Sequence, residues 1–73
     1  MKEKIAIKEI INEYNRAAKN FDGFASRHEG YAVLLEEVDE LWDEIKCNSP
    51  NEKIKEEAIQ VAAMGLRFLV ECC

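Results

Sequence analysis

The stretch LLEEVDELWDEIK, residues 34–46, sets six carboxylates (Glu36, Glu37, Asp39, Glu40, Asp43, Glu44) among the apolar residues Leu34, Leu35, Val38, Leu41, Trp42 and Ile45. Apolar side chains three and four positions apart share one face of a helix, so the stretch reads as an amphipathic helix and the fold as helical. The acids form six like-charge pairs at i,i+3 or i,i+4. Together these oppose the helix by roughly 1–3 kcal/mol before screening. Such a cost is tolerable, but it asks for a benefit.

Upstream of this stretch, Ser26 with Glu29 three positions later has the form of a capping box, and Tyr31 extends the apolar stripe. The helix therefore spans about residues 27–47. Before it, Ile7, Ile10, Ile11, Tyr14, Ala17, Ala18 and Phe21 keep helical spacing, which predicts a first helix over about 3–20, broken at Asp22-Gly23. After it, CNSPN ends the second helix, and Ser49, Pro50 and Glu52 repeat the entry grammar: Ser as cap, Pro at the first helical position, Glu closing the box. A third helix then runs from about residue 50 to the end. Its segment AAMGLRFLVECC is apolar almost all round, interrupted by Arg67 and Glu71. A helix of that kind needs neighbours on every side. Three helices of one chain hardly supply them, so this segment is expected to pack against another subunit.

No strand pattern, internal repeat or low-complexity tract is visible. Residues 1–73 read as a single all-α domain, a short bundle of three helices completed by oligomerisation as a dimer or tetramer. A chain of this length buries only about 60% of its unfolded surface, and oligomerisation is a natural remedy for so thin a core.

Ten Lys and Arg against 15 Asp and Glu give a formal charge of −5, with no basic stripe to track a phosphate backbone. Nucleic acid is excluded as the expected partner. Cys47, Cys72 and Cys73 are an odd set without zinc spacing, which reads as reduced thiols. The Cys72-Cys73 pair is a soft-metal candidate or simply the end of a greasy helix. The N-terminus MKEKIAIKEI lacks the apolar run of a signal peptide, and no segment is long enough to span a bilayer. A soluble, cytoplasmic protein is expected, without a membrane partner. No Ser/His/Asp or Cys/His nucleophile set and no glycine-rich phosphate loop is present.

At about 100° per residue, with Val38 at the centre of the stripe, Glu37, Glu44 and Glu40 form an acidic flank, Glu36 lies near the back, and Asp39 and Asp43 take the other flank. One reading is a solvated helix face. The third helix weakens it, because Glu57 falls inside the stripe Ile54, Ala58, Val61, Gly65, Phe68 and Cys72. An ionised carboxylate facing a core is costly unless it is paired or binds a metal. If the second and third helices pack antiparallel, Glu57 approaches Glu37 and Glu40. Carboxylates converging without enough basic partners suit a hard divalent cation, typically magnesium.

Glu36-Glu37-Val38-Asp39-Glu40 fits the EExxE signature of the MazG-like all-α nucleotide pyrophosphohydrolases, which pair it with an ExxD on the following helix. RHEGYAVLLEEVDELWDEIK and EEAIQVAAMGLRFL resemble the small phage and bacterial members, over roughly half the chain. The resemblance implies magnesium-dependent hydrolysis of a nucleoside triphosphate to a monophosphate and pyrophosphate, a house-cleaning activity. Carried over, Glu37, Glu40 and Glu57 are magnesium ligands, and Glu36 is a further ligand or an orienting base. The second motif here reads Glu57-Ala58-Ile59-Gln60, so Gln60 stands where the family has an aspartate. Its amide oxygen still suits a hard cation but brings no charge, and Glu44 is a substitute ligand on the same flank. The chain is also shorter than many relatives, which continue past the second motif. A non-catalytic MazG-like oligomer with a binding or scaffolding role is the alternative.

Other residues have two readings each. His28 is a nucleotide contact or a polar residue at a helix start. Tyr31 and Trp42 are expected in the core rather than stacked on a base, since both lie on the apolar stripe. Lys19, Arg27 and Arg67 are phosphate-contact candidates. Arg67 is the best placed, on the side of Gln60, and is alternatively a structural partner of Glu57 or Glu71.

Overall fold

In a computed structural model that describes residues 1–73, the expected segments are α1 (Glu3–Asn20), α2 (Arg27–Lys46) and α3 (Asn51–Cys72), with no strand. α3 is the central helix: α1 and α2 each pack on it and not on each other. Glu9 pairs with Lys55 near the start of α3, and Asp22, just past α1, meets Arg67 near its end, so α1 and α3 run the same way. α2 runs opposite, with Gly30 against Phe68 and Glu37 beside Glu57. No helix is long and apolar enough to cross a membrane.

The ends of α2 follow local chemistry. Ser26 accepts from the Glu29 N–H at 3.1 Å, and the Glu29 carboxylate accepts from the Ala25 N–H at 3.0 Å, which satisfies two donors the helix cannot. At the other end Asn48 takes φ 50°, the Asn48 N–H reaches the Ile45 carbonyl, and the Ser49 N–H reaches the Glu44 carbonyl. This is a Schellman closure with asparagine in the left-handed position. It changes the entry to α3. Pro50 is extended at ψ 149° and acts as the cap, the helix begins at Asn51, and no side chain caps it. The expected box from Ser49 to Glu52 does not form, because closing α2 leaves Ser49 one residue too early.

A second difference concerns which edge of α2 faces inward. The buried and half-buried residues are Gly30, Val33, Leu34, Glu37, Leu41 and Glu44, not a stripe centred on Val38. Trp42 and Tyr31, expected in the core, are 55% and 62% exposed. Gly30 supplies the reason. A Cβ there would lie 2.8 Å from the Phe68 ring and 3.1 Å from the Phe24 ring, so only glycine admits this approach and α2 docks on that edge. The stripe of α3 expected to face the core shifts likewise, and Ala58 on it is exposed. The chain's own helices cover Ala63, Met64 and Arg67, while Leu69 and Val70 remain exposed along with the α2 stripe. Only five of the 73 residues are buried. The core is as thin as the length implies.

Candidate functional site

Docking by its acidic edge carries α2 carboxylates to α3. Glu37 and Glu40 are three residues apart and therefore share one side of α2. One oxygen from each, and one from Glu57 of α3, lie within 4.8 Å of one another. Glu57 Oε2 is buried with no hydrogen-bond partner, and so is Glu44 Oε2. Burial first, then the charges of Glu40 and Glu57, push the Glu37 carboxyl from 4.5 to about 7. The Glu57 carboxyl is also raised, by burial and then by Glu40. Near neutral pH a proton and a cation therefore compete for the same oxygens. Three carboxylates with an orphaned buried oxygen match the donor set of a hard divalent cation.

These glutamates line one part of an open pocket of about 600 Å³ between the three helices and the segment joining α1 to α2. That volume is typical of small-molecule sites. Arg16 and Arg67 bring positive charge to its wall, and Phe21 and Phe24 bring aromatic rings. Arg67 is only 5% exposed. Its Nε donates to Glu71 Oε2 at 2.6 Å, Nη2 donates to the Asp22 carbonyl, and the guanidinium lies 4.1 Å from the centroid of the Phe24 ring. Glu71 Oε1 in turn accepts from the Phe24 N–H at 2.6 Å. Burial would raise the Glu71 carboxyl, but the Phe24 N–H and Arg67 hold it below the usual range. Arg67 and Glu71 thus fasten the joining segment over the end of α3, which is the structural pairing weighed for Arg67. Arg67 is also among the residues lining the pocket.

The remaining candidates separate. Gln60 lines the pocket outside the three-glutamate cluster. It lies close enough to Glu13 of α1 to help Arg16, the main cause, hold the Glu13 carboxyl low. Glu44 sits one turn beyond Glu40, close enough for its charge to act on Glu57. Glu36 is exposed and His28 lies in the exposed first turn of α2, and neither lines the pocket. Arg27 Nε donates to the Cys72 carbonyl at 3.0 Å, a cation on the C-terminal end of α3. Cys47, Cys72 and Cys73 are all free.

Sequence reasoning missed Arg16, Glu13, Phe21 and Phe24. Arg16 and Glu13 form an i,i+3 pair, with Arg16 Nε 2.9 Å from Glu13 Oε1. That spacing was visible, but not its aim at Gln60. Comparison with known protein families, curated proteins and solved structures finds no match for this chain. The reading of the site therefore rests on its geometry and on the motif resemblance.

Proposed function

We propose that the chain is a magnesium-dependent nucleoside triphosphate pyrophosphohydrolase of the MazG-like kind, acting as a homo-oligomer. The observation that carries this reading is the meeting of Glu37, Glu40 and Glu57 in a pocket that also holds two arginines. Glu37, Glu40 and Glu57 would hold the cation, with Glu44 as a reserve ligand. When bound, the cation would neutralise phosphate charge and activate a water for attack between the α and β phosphates. Arg16 and Arg67 attract the polyphosphate, and Arg67 offers a guanidinium already fixed by Glu71 and the Asp22 carbonyl. Phe21 and Phe24 provide apolar faces for a base. Glu36 and His28, the expected ligand or orienting base and the expected nucleotide contact, do not line the pocket and take no part in this reading.

Gln60 favours a second reading, a non-catalytic oligomer that keeps the fold as a binding or scaffolding protein. It stands at the position of the acidic ligand of the family motif and lies close to Glu13 on α1. The discriminating measurement is pyrophosphate release from a panel of standard and modified triphosphates with magnesium. Wild-type turnover that falls at least a hundredfold in Glu40→Gln supports the enzyme. Wild-type protein that binds no magnesium and releases no pyrophosphate from any substrate overturns it.

A further inference from the structure

Apolar residues recur at four-three spacing on the side of α2 away from the pocket: Tyr31, Leu35, Val38, Trp42 and Ile45, each between 41% and 62% exposed. This is the spacing of a helix seam that packs against another helix, and nothing within the chain covers it. Projected at about 100° per residue, Ala58, Gly65 and Leu69 of α3 fall on the same side of the α2–α3 pair. Gly65 behaves differently from Gly30. A Cβ built at Gly65 meets nothing within 4 Å. Glycine in mid-helix costs about 1 kcal/mol relative to alanine, and the single chain gains nothing for that cost. A gain arises when another backbone approaches closely there.

The surface area of the whole chain leaves room for such a contact. The chain exposes 5406 Å². A folded monomer of 8.4 kDa is expected to expose about 4,600 Å². The surplus of about 800 Å², summed over the whole chain including the exposed Ile5, Ile7 and Ile11 of α1, is of the size one partner contributes to a standard protein–protein interface. Charge fits as well. Glu37, Glu40 and Glu57 line the pocket, so two chains meeting by this face do not bring those clusters together; of the α2 acids only Asp39 and Asp43 border the seam, and Asp43 is paired with Lys46 at 3.2 Å.

We infer that this face is the seat of a second copy of the chain, with the α2 seam and the Gly65 side of α3 of one copy packed on those of the other and the two pockets facing outward. The inference deepens the homo-oligomer part of the proposed function and needs none of its metal chemistry. Sedimentation of the full chain at micromolar concentration is expected to give twice 8.4 kDa. Val38→Glu changes a residue exposed in the single copy, so helix content should hold while the mass falls to one chain. Gly65→Leu fills space that is open in the single copy and should weaken association at least tenfold. Ile11→Glu, on the exposed side of α1, should leave the dimer intact. Trp42 is the sole tryptophan, so wild-type emission should shift to the red as dilution separates the copies, a readout that survives failure of any variant to fold. A single-chain mass for wild type at every concentration overturns the oligomer and this face together. A dimer that persists in Val38→Glu and Gly65→Leu but is lost in Ile11→Glu, or Trp42 emission unchanged while the mass halves, overturns this face alone.

Discussion

Glu37→Gln replaces one of three crowded carboxylates with a neutral side chain of the same shape, and the size of its effect follows from the position of the three. Oxygens no more than 4.8 Å apart repel by roughly 3–4 kcal/mol per ionised pair at an effective dielectric constant of about 20. The fold relieves this by keeping the Glu37 proton up to about pH 7. A glutamate in the unfolded chain loses its proton near pH 4.5, so between these values the folded state binds more protons and stability falls as pH rises. The full cost above that window is about 3 kcal/mol. Glu37 is only partly buried, and screening by solvent reduces the cost to roughly 1–2 kcal/mol. At 4–8 °C per kcal/mol for a domain of this size, Glu37→Gln should melt roughly 5–15 °C higher than wild type at pH 8 without metal, and almost together with it at pH 4. Circular dichroism melting at the two pH values reads this directly. Magnesium should then narrow the gap, because it stabilises only the protein that keeps its ligands. For a site with Kd near 1 mM, 10 mM magnesium contributes about 1.4 kcal/mol to wild type. Equal midpoints at pH 8 without metal would refute the electrostatic reasoning. An equal magnesium shift in wild type and variant would refute the cluster as the metal site.

Arg67→Met should cost roughly 2–4 kcal/mol in urea denaturation, because it leaves Glu71 and the Asp22 carbonyl without their shared donor. Amide exchange should quicken at Phe24, whose N–H depends on Glu71. Gly30→Ala should cost roughly 1–3 kcal/mol, since its methyl would press on the Phe68 and Phe24 rings, and a neutral result would show that Gly30 does not set the docking of α2. Gln60→Asp adds a carboxylate beside Glu13 and should lower the melting midpoint in chelator while tightening magnesium in calorimetry. Unchanged magnesium affinity would place Gln60 outside the metal's reach.

The helices were legible because their periodicity and breaks are local: Asp22-Gly23 and CNSPN punctuate the chain, and Ser26 with Glu29 makes the cap it spells. The approach of Glu57 to Glu37 and Glu40 was also legible, because an antiparallel pair of helices with those spacings allows few other registers. The rotation of α2 was not. A wheel finds the widest apolar stripe and assigns it to the core, whereas docking follows the edge where backbone and ring approach closest, and the signal for that was one glycine. Arg16 and the aromatic segment were hidden for a related reason. Their role depends on α1 lying along α3, and nothing in either helix alone specifies which faces meet. The side chain at Ser49 misled because the sequence grammar of a cap cannot see that the preceding helix has already consumed the residues around it.

The placement of α2 turns an oddity of its sequence into an argument about selection. A helix with one apolar seam and one acidic flank could have buried the seam inside its own chain and left the acids in water. This chain does the reverse, holding Glu37, Glu44 and Glu57 against its interior and leaving Trp42 and Tyr31 outside. Taken alone, both choices are unfavourable: one confines like charges away from water, the other exposes apolar surface. They become consistent together when the seam meets a second copy and the carboxylates meet a cation, since each partner offsets one of the two costs. The two offsets are also separable. A second copy would stabilise the fold whether or not metal is present, and a bound metal would stabilise the acidic edge whichever face associates. Additive changes in stability on combining Gly65→Leu with Glu37→Gln would be the sign of that independence, and strong non-additivity would mean that association and the acidic pocket are mechanically linked through the α2–α3 pair.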